Sequence, residues 1–168
     1  MKFAALILTT LLAGATALSA QTADKRMSLD VYGDWAVRCS DAGLERCVMT
    51  QKVSAKGQTK TLVELNIAPS SRAEAGLFLV IAVPEGAEMA VAPQIQGKGL
   101  AQPIIFKWRV CVKGFCRAIV DLDNAMMSGL SSETGAAFAH VRYGQQKASV
   151  TPLSFKGFGD AIKALKAK

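Results

Sequence analysis

A chain of 168 residues, 51% of them hydrophobic, with 20 Lys and Arg against 13 Asp and Glu, has the length of one ordinary domain able to bury a core. Its formal charge of +7 suits solubility and loose attraction to anionic surfaces. It does not by itself point to nucleic acid, and none is expected as a partner, because the basic residues are scattered and the terminal Lys163, Lys166, Lys168 cluster is short.

The chain begins as an exported protein does. Met1-Lys2-Phe3 supplies a positive start, and Ala4 to Ala17 is an apolar run of about 14 residues followed by small side chains. Cleavage after Ala17 fits the small-x-small rule, while cleavage after Ala20 gives a product starting at Gln21; the second is favoured, so residues 1–20 read as a secretory signal peptide and 21–168 as the mature domain. An uncleaved anchor needs about 20 apolar residues, and the polar stretch from Gln21 to Arg26 ends the run early. No stable membrane span is therefore expected after cleavage. The first cysteine is Cys39, far from either cleavage position, which excludes lipid attachment to a new N-terminal cysteine. Removing twenty residues leaves 148, and losing Lys2 with them leaves a charge of +6.

The mature chain has mostly the pattern of strands. Val31 to Cys39 alternates Trp35, Val37 and Cys39 against Ala36 and Arg38, the period of a half-buried strand. Ser40 to Glu45 is turn chemistry, and Cys47 to Val53 returns to complete a hairpin. After a second turn at Ser54 to Gln58, Lys60 to Ile67 alternates Val63, Leu65 and Ile67 against Leu62, Glu64 and Asn66. Pro69 to Gly76 is a polar break. Leu77 to Val83 is apolar throughout, the pattern of a short strand buried on both faces. Pro84-Glu85-Gly86 is a tight turn, Met89 to Ala92 a short strand, and Pro93 with Gly97 and Gly99 an irregular connection. Met89, Met126 and Met127 read as core filling.

Ile104 to Cys111 and Cys116 to Asp121 are two apolar runs facing each other across a Val112-Lys113-Gly114-Phe115 loop, which predicts a hairpin. If Cys111 opposes Cys116, then Arg109 opposes Ala118, Lys107 opposes Val120 and Ile105 opposes Leu122 on one face. Phe106, Trp108, Val110, Arg117 and Ile119 share the other. The Phe106/Trp108 side is expected to be core and the Lys107/Arg109 side partly covered; a bulge that changes the loop length would exchange the faces. Beyond it, Asp123 is a plausible N-cap for a short helix near 123–130, Ser131 to Gly135 is loop, and Ala136 to Tyr143 with Ala148 to Phe155 forms a further hairpin across Gly144 to Lys147. At the end Phe158, Ile162 and Leu165 recur at helical spacing, giving one apolar stripe on a C-terminal helix that docks against the sheets. The fold class expected is all-β: a single antiparallel, sandwich-like domain with these two helices.

The four cysteines, at 39, 47, 111 and 116, form an even set in an exported chain and suggest two disulfides. Three pairings are possible. Each near pair spans its own hairpin turn, so Cys39 is expected to join Cys47 and Cys111 to join Cys116, each worth roughly 2–3 kcal/mol by loop closure. A zinc site would need closer thiolates and usually histidine, and neither a metal nor a cofactor is expected.

Catalysis finds little support. The sole histidine, His140, lies in a predicted strand, and no Gly-x-Ser-x-Gly turn accompanies it. Asp121 and Asp123 lack the glycine and distal glutamate of a calcium loop, and Gly97-Lys98-Gly99 is too short for a phosphate loop. A small periplasmic hydrolase or lyase using Asp121, Asp123 or His140 is one rival reading, and an envelope protein that oligomerises through sheet edges is another.

Gly33 to Cys39, Cys47 to Gln51, Leu79 to Gly86, Cys111 to Ala118 and Leu153 to Phe158, together spread over nearly the whole mature chain, resemble the invasion-associated locus B family of exported alphaproteobacterial proteins. The resemblance implies a single all-β, sandwich-like domain, periplasmic or associated with the outer surface. In pathogens the family is linked to entry into host cells, notably red cells, and members also occur where no host is obvious. It supplies no catalytic residues. The function expected is therefore a non-enzymatic, exported binding or envelope-interaction module whose partner is a protein or an anionic envelope or host-surface component, with Arg38, Lys107, Arg109 and Arg117 as candidate contacts.

Overall fold

Alternating apolar positions need a partner layer, and the chain supplies two. The computed structural model describes residues 27–40, 46–54, 60–133, 137–144 and 148–167. The segment expected to be a signal peptide, most of the turns expected at 40–45 and 54–58, and parts of those at 131–135 and 144–147 lie outside these residues. In chain order the strands are β1 (Met27–Tyr32), β2 (Trp35–Ser40), β3 (Arg46–Ser54), β4 (Thr61–Pro69), β5 (Leu77–Pro84), β6 (Gln94–Gln96), β7 (Ile104–Ile105), β8 (Lys107–Val112) and β9 (Phe115–Asp121). Helix α1 (Asn124–Ser132) follows, then β10 (Ala137–Arg142), β11 (Ala148–Leu153) and α2 (Phe158–Lys166).

Seven strands form one antiparallel sheet in the order β1-β2-β3-β4-β5-β9-β8, and four form a second in the order β11-β10-β6-β7. Register aligns the inner-face positions across the large sheet: Val37, Met49, Ile67 and Leu79 in one row, Leu65, Ile81 and Ala118 in the next, all buried. Ile95, Ile104, Ala139, Val141 and Leu153 complete the core from the smaller sheet. Each of the Val, Leu, Ile and Met side chains among them contributes about 1.5–3 kcal/mol by leaving water. The result is the all-β, layered architecture expected from the sequence.

Helix α2 closes one end. Phe158, Ile162 and Leu165 are buried as the stripe requires, and Phe158 meets Trp35 edge-on at 5.3 Å and Phe155 at 5.3 Å between ring centroids. Helix α1 starts where Asp123 caps it, the carboxylate accepting from the Met126 amide at 2.7 Å, and it runs two residues further than the sequence suggests. Both disulfides join the expected cysteines, directly opposed across their hairpins with Cα atoms 4.1 Å apart for Cys39–Cys47 and 3.9 Å for Cys111–Cys116.

Four local expectations are corrected. Val31 to Cys39 is not one strand: Gly33, at φ +59, turns the chain so that β1 folds back on β2, leaving Val31 exposed. Met89 to Ala92 forms turns rather than a strand, and Met89, 46% exposed, is no core residue; the strand is Gln94–Gln96 instead. Ile104 to Cys111 is divided between the sheets. Ile104 and Ile105 pair with β6, Phe106 is buried between layers with its amide donating to Pro93, and β8 begins at Lys107. The 112–115 loop shortens to Lys113 and Gly114, both with positive φ, the tight turn that suits the twist of a hairpin.

The division at Phe106 is followed by a register shift between Trp108 and Val110. Trp108 therefore opposes Ala118 and Lys107 opposes Ile119: the irregularity lies within β8 rather than in the loop, and Cys111 still opposes Cys116. Trp108 packs against the core as expected, while Lys107 and Arg109 are exposed rather than partly covered. Cys116 and Ala118 face the core, with Val120 partly buried on the same side. Lys107, Val110, Arg117 and Ile119 lie on the outer face.

A basic groove on the outer face of the large sheet

The outer face of the seven-stranded sheet is where the predicted contact residues lie, and strand order decides which of them meet. On this face Val80, Ile119 and Lys107 form one row across β5, β9 and β8, and Ala82, Arg117 and Val110 form the next. The loop after β4 rises beside the first row and brings Pro69 to Arg72 over Phe78. Between this loop and β8 lies a groove of ≈ 540 Å³ whose floor is Phe78, Ile105 and Ile119 and whose walls include Arg72, Lys107, Arg109 and Asp121. The bulge supplies Arg109: the extra residue in β8 escapes the pairing that occupies its neighbours.

Among the described residues, none of Arg72, Lys107 and Arg109 takes part in an ion pair. Three exposed cations above an apolar floor favour an anionic group carrying a hydrocarbon or flat apolar portion. The two guanidinium groups offer paired donors to carboxylate or phosphate oxygens. Asp121 at the margin leaves the groove with an excess of two positive charges.

The other predicted contacts stand apart to different degrees. Arg117 lies on the same face one strand inward, opposite Val110, and is exposed. Arg38 is also exposed on this face, but β2 and β8 are separated by five strand spacings, roughly 24 Å. Arg72 had no signal in the sequence beyond a polar break; only the β4-β5-β9-β8 order brings that loop to the Lys107 strand.

Residues that a hydrolytic reading would use stand in three places. Asp121 is in the groove, Asp123 is occupied as the α1 cap, and His140 lies on the outer face of the smaller sheet between Val150 and Gln94. Among the described residues no three His, Cys, Asp or Glu side chains are placed to share a metal ion, and all four cysteines are held in the two disulfides. Away from these groups, partial burial of Tyr143 raises its phenol above the usual 10.0. No described helix is long and apolar enough to cross a membrane.

No curated protein sequence matches the chain. A solved structure described as invasion associated protein B from Bartonella henselae superposes with a TM-score of 0.70, covering 83% of this chain and 96% of that one at 17% sequence identity, a likeness of fold. Residues 35–166 match the family described as Invasion associated locus B (IalB) protein. That match runs from Trp35 at the head of β2 to Lys166 at the end of α2, across both sheets and both disulfides, and the chain belongs to the IalB family.

Proposed function

We propose that this protein is an exported, non-enzymatic binding module of the cell envelope that engages an anionic or protein partner through the outer face of its large sheet. The observation that carries the reading is the gathering of Arg72, Lys107 and Arg109, from two separate stretches of chain, around one apolar-floored groove. Two disulfides suit an oxidising compartment, either the periplasm or the outer surface. The Bartonella henselae protein of similar fold carries invasion in its description, and attachment through this groove is the step by which the present chain would contribute to host-cell association.

The test is retention of the exported protein on washed envelope or host-membrane fractions, compared with a variant carrying Arg72→Glu, Lys107→Glu and Arg109→Glu. More than a tenfold loss of retention, at unchanged melting temperature, is the expected result. Equal retention of the two proteins would overturn the assignment of the groove.

A further inference from the structure

Beside the groove, β8, one edge strand of the large sheet, presents aliphatic side chains to solvent. Val110 is 45% exposed and Val112 40%, and Ile105 on the adjoining β7 of the smaller sheet is 58% exposed. On the outer face, Val112 continues into Phe115 and Pro84, and Val110 into Arg117 and Ala82. Exposed aliphatic side chains on an unpaired edge invite association unless something covers them.

The charge pattern identifies the cover. Lys107, Arg109 and Lys113 are interleaved with the aliphatic residues, and Arg117 and Arg72 flank them, all exposed. The nearby acids are marginal: Asp121 sits in the groove, and Glu85 accepts from the Gly114 amide at the hairpin turn. A second copy pairing edge to edge about a two-fold axis would place this basic strand against itself, an unfavourable match. An acidic bilayer complements both features at once. Its headgroups take the cations, each raising the partition coefficient about fivefold, and its outer hydrocarbon takes the aliphatic side chains while the long basic side chains reach back to the phosphates.

We propose that the β8–β9 ribbon and its groove form a peripheral attachment surface for acidic phospholipid, with one headgroup phosphate seated among Arg72, Lys107 and Arg109. This rests on the envelope-binding reading and names the component bound. The protein stays on one side of the membrane; Ile105, Val110 and Val112 enter only its interface.

The test is co-flotation of the exported protein with protein-free vesicles, either pure phosphatidylcholine or phosphatidylcholine containing about a third phosphatidylglycerol, as is usual for an electrostatic comparison. Binding at least tenfold stronger to the acidic vesicles is expected. Lys107→Glu with Arg109→Glu should reduce it to the neutral-vesicle level, and Val110→Thr with Val112→Thr should lower it several-fold while its salt dependence persists. If the first pair lowers the melting temperature, Arg72→Gln with Arg117→Gln, both exposed, applies the same criterion. Equal binding to the two vesicles overturns the proposal. So does failure to bind either while envelope fractions still retain the protein, an outcome that leaves the envelope reading standing with a protein as partner. Failure on vesicles and envelopes alike removes both.

Discussion

Gln51 grips Ser154 at two points: its Nε2 donates to the Ser154 carbonyl at 2.6 Å and its Oε1 accepts from the Ser154 amide at 3.3 Å. A buried side chain of β3 thus takes the backbone groups that a neighbouring strand would otherwise satisfy, just where the chain leaves β11. Trp35 adds a third bond, Nε1 to the same carbonyl at 3.0 Å, and the Asp34 amide donates to Lys156 at 3.1 Å. The two sheets are joined here by polar contacts as well as by the aromatic cluster above α2.

Removing one partner from such a joint leaves buried polar groups without bonds. Gln51→Leu, which keeps the volume, is expected to cost about 1–3 kcal/mol. Gln51→Glu should cost more than Gln51→Leu, because its carboxylate would face the carbonyls of Ser154 and Asp34. Urea unfolding midpoints of the two variants provide the comparison.

Two glycines with the same backbone angle offer a controlled contrast. Gly114 and Gly157 both have φ +82, but a Cβ at Gly114 meets open space whereas one at Gly157 would run into the Tyr32 carbonyl. Gly114→Ala should cost only the left-handed penalty of roughly 1–2 kcal/mol. Gly157→Ala must also part the turn at Gly33 from the start of α2, so its unfolding midpoint is expected to fall clearly further.

Legibility in the sequence followed locality. The two disulfides, the Asp123 cap and the Phe158/Ile162/Leu165 stripe depend on residues within a few positions of each other, and each was readable from spacing. The passage of the chain from one sheet to the other at Phe106 was not, because the alternation of Phe106, Trp108 and Val110 keeps one parity across it. The turn at Gly33 was hidden in the same way: Val31, Trp35 and Val37 keep one parity although Val31 faces solvent and Trp35 the core. For the groove, Lys107 and Arg109 could be suspected from the hairpin alone. Arg72 could not, since its place there follows from β5 and β9 lying between β4 and β8.

Alkaline pH offers a separate check on the Ala87–Tyr143 corner. Partial burial raises the Tyr143 phenol above its usual 10.0, so at high pH the folded chain holds a proton that the unfolded chain has released. The stabilising difference is complete below about pH 10 and is lost as pH rises through the folded value. Tyr143→Phe should therefore make stability fall less steeply above pH 10, as read from urea midpoints across about pH 9 to 11; an unchanged slope would show that burial there has no such effect.

The most direct measurement is hydrogen exchange on residues 21–168, free and mixed with envelope membranes. Slowed exchange concentrated in Lys107–Ile119 and the Pro69–Arg72 loop is the result expected of a binding face on the large sheet. Protection confined to β10 and β11 of the small sheet around His140 and Val150, with the β8 edge exchanging as in the free protein, would contradict it.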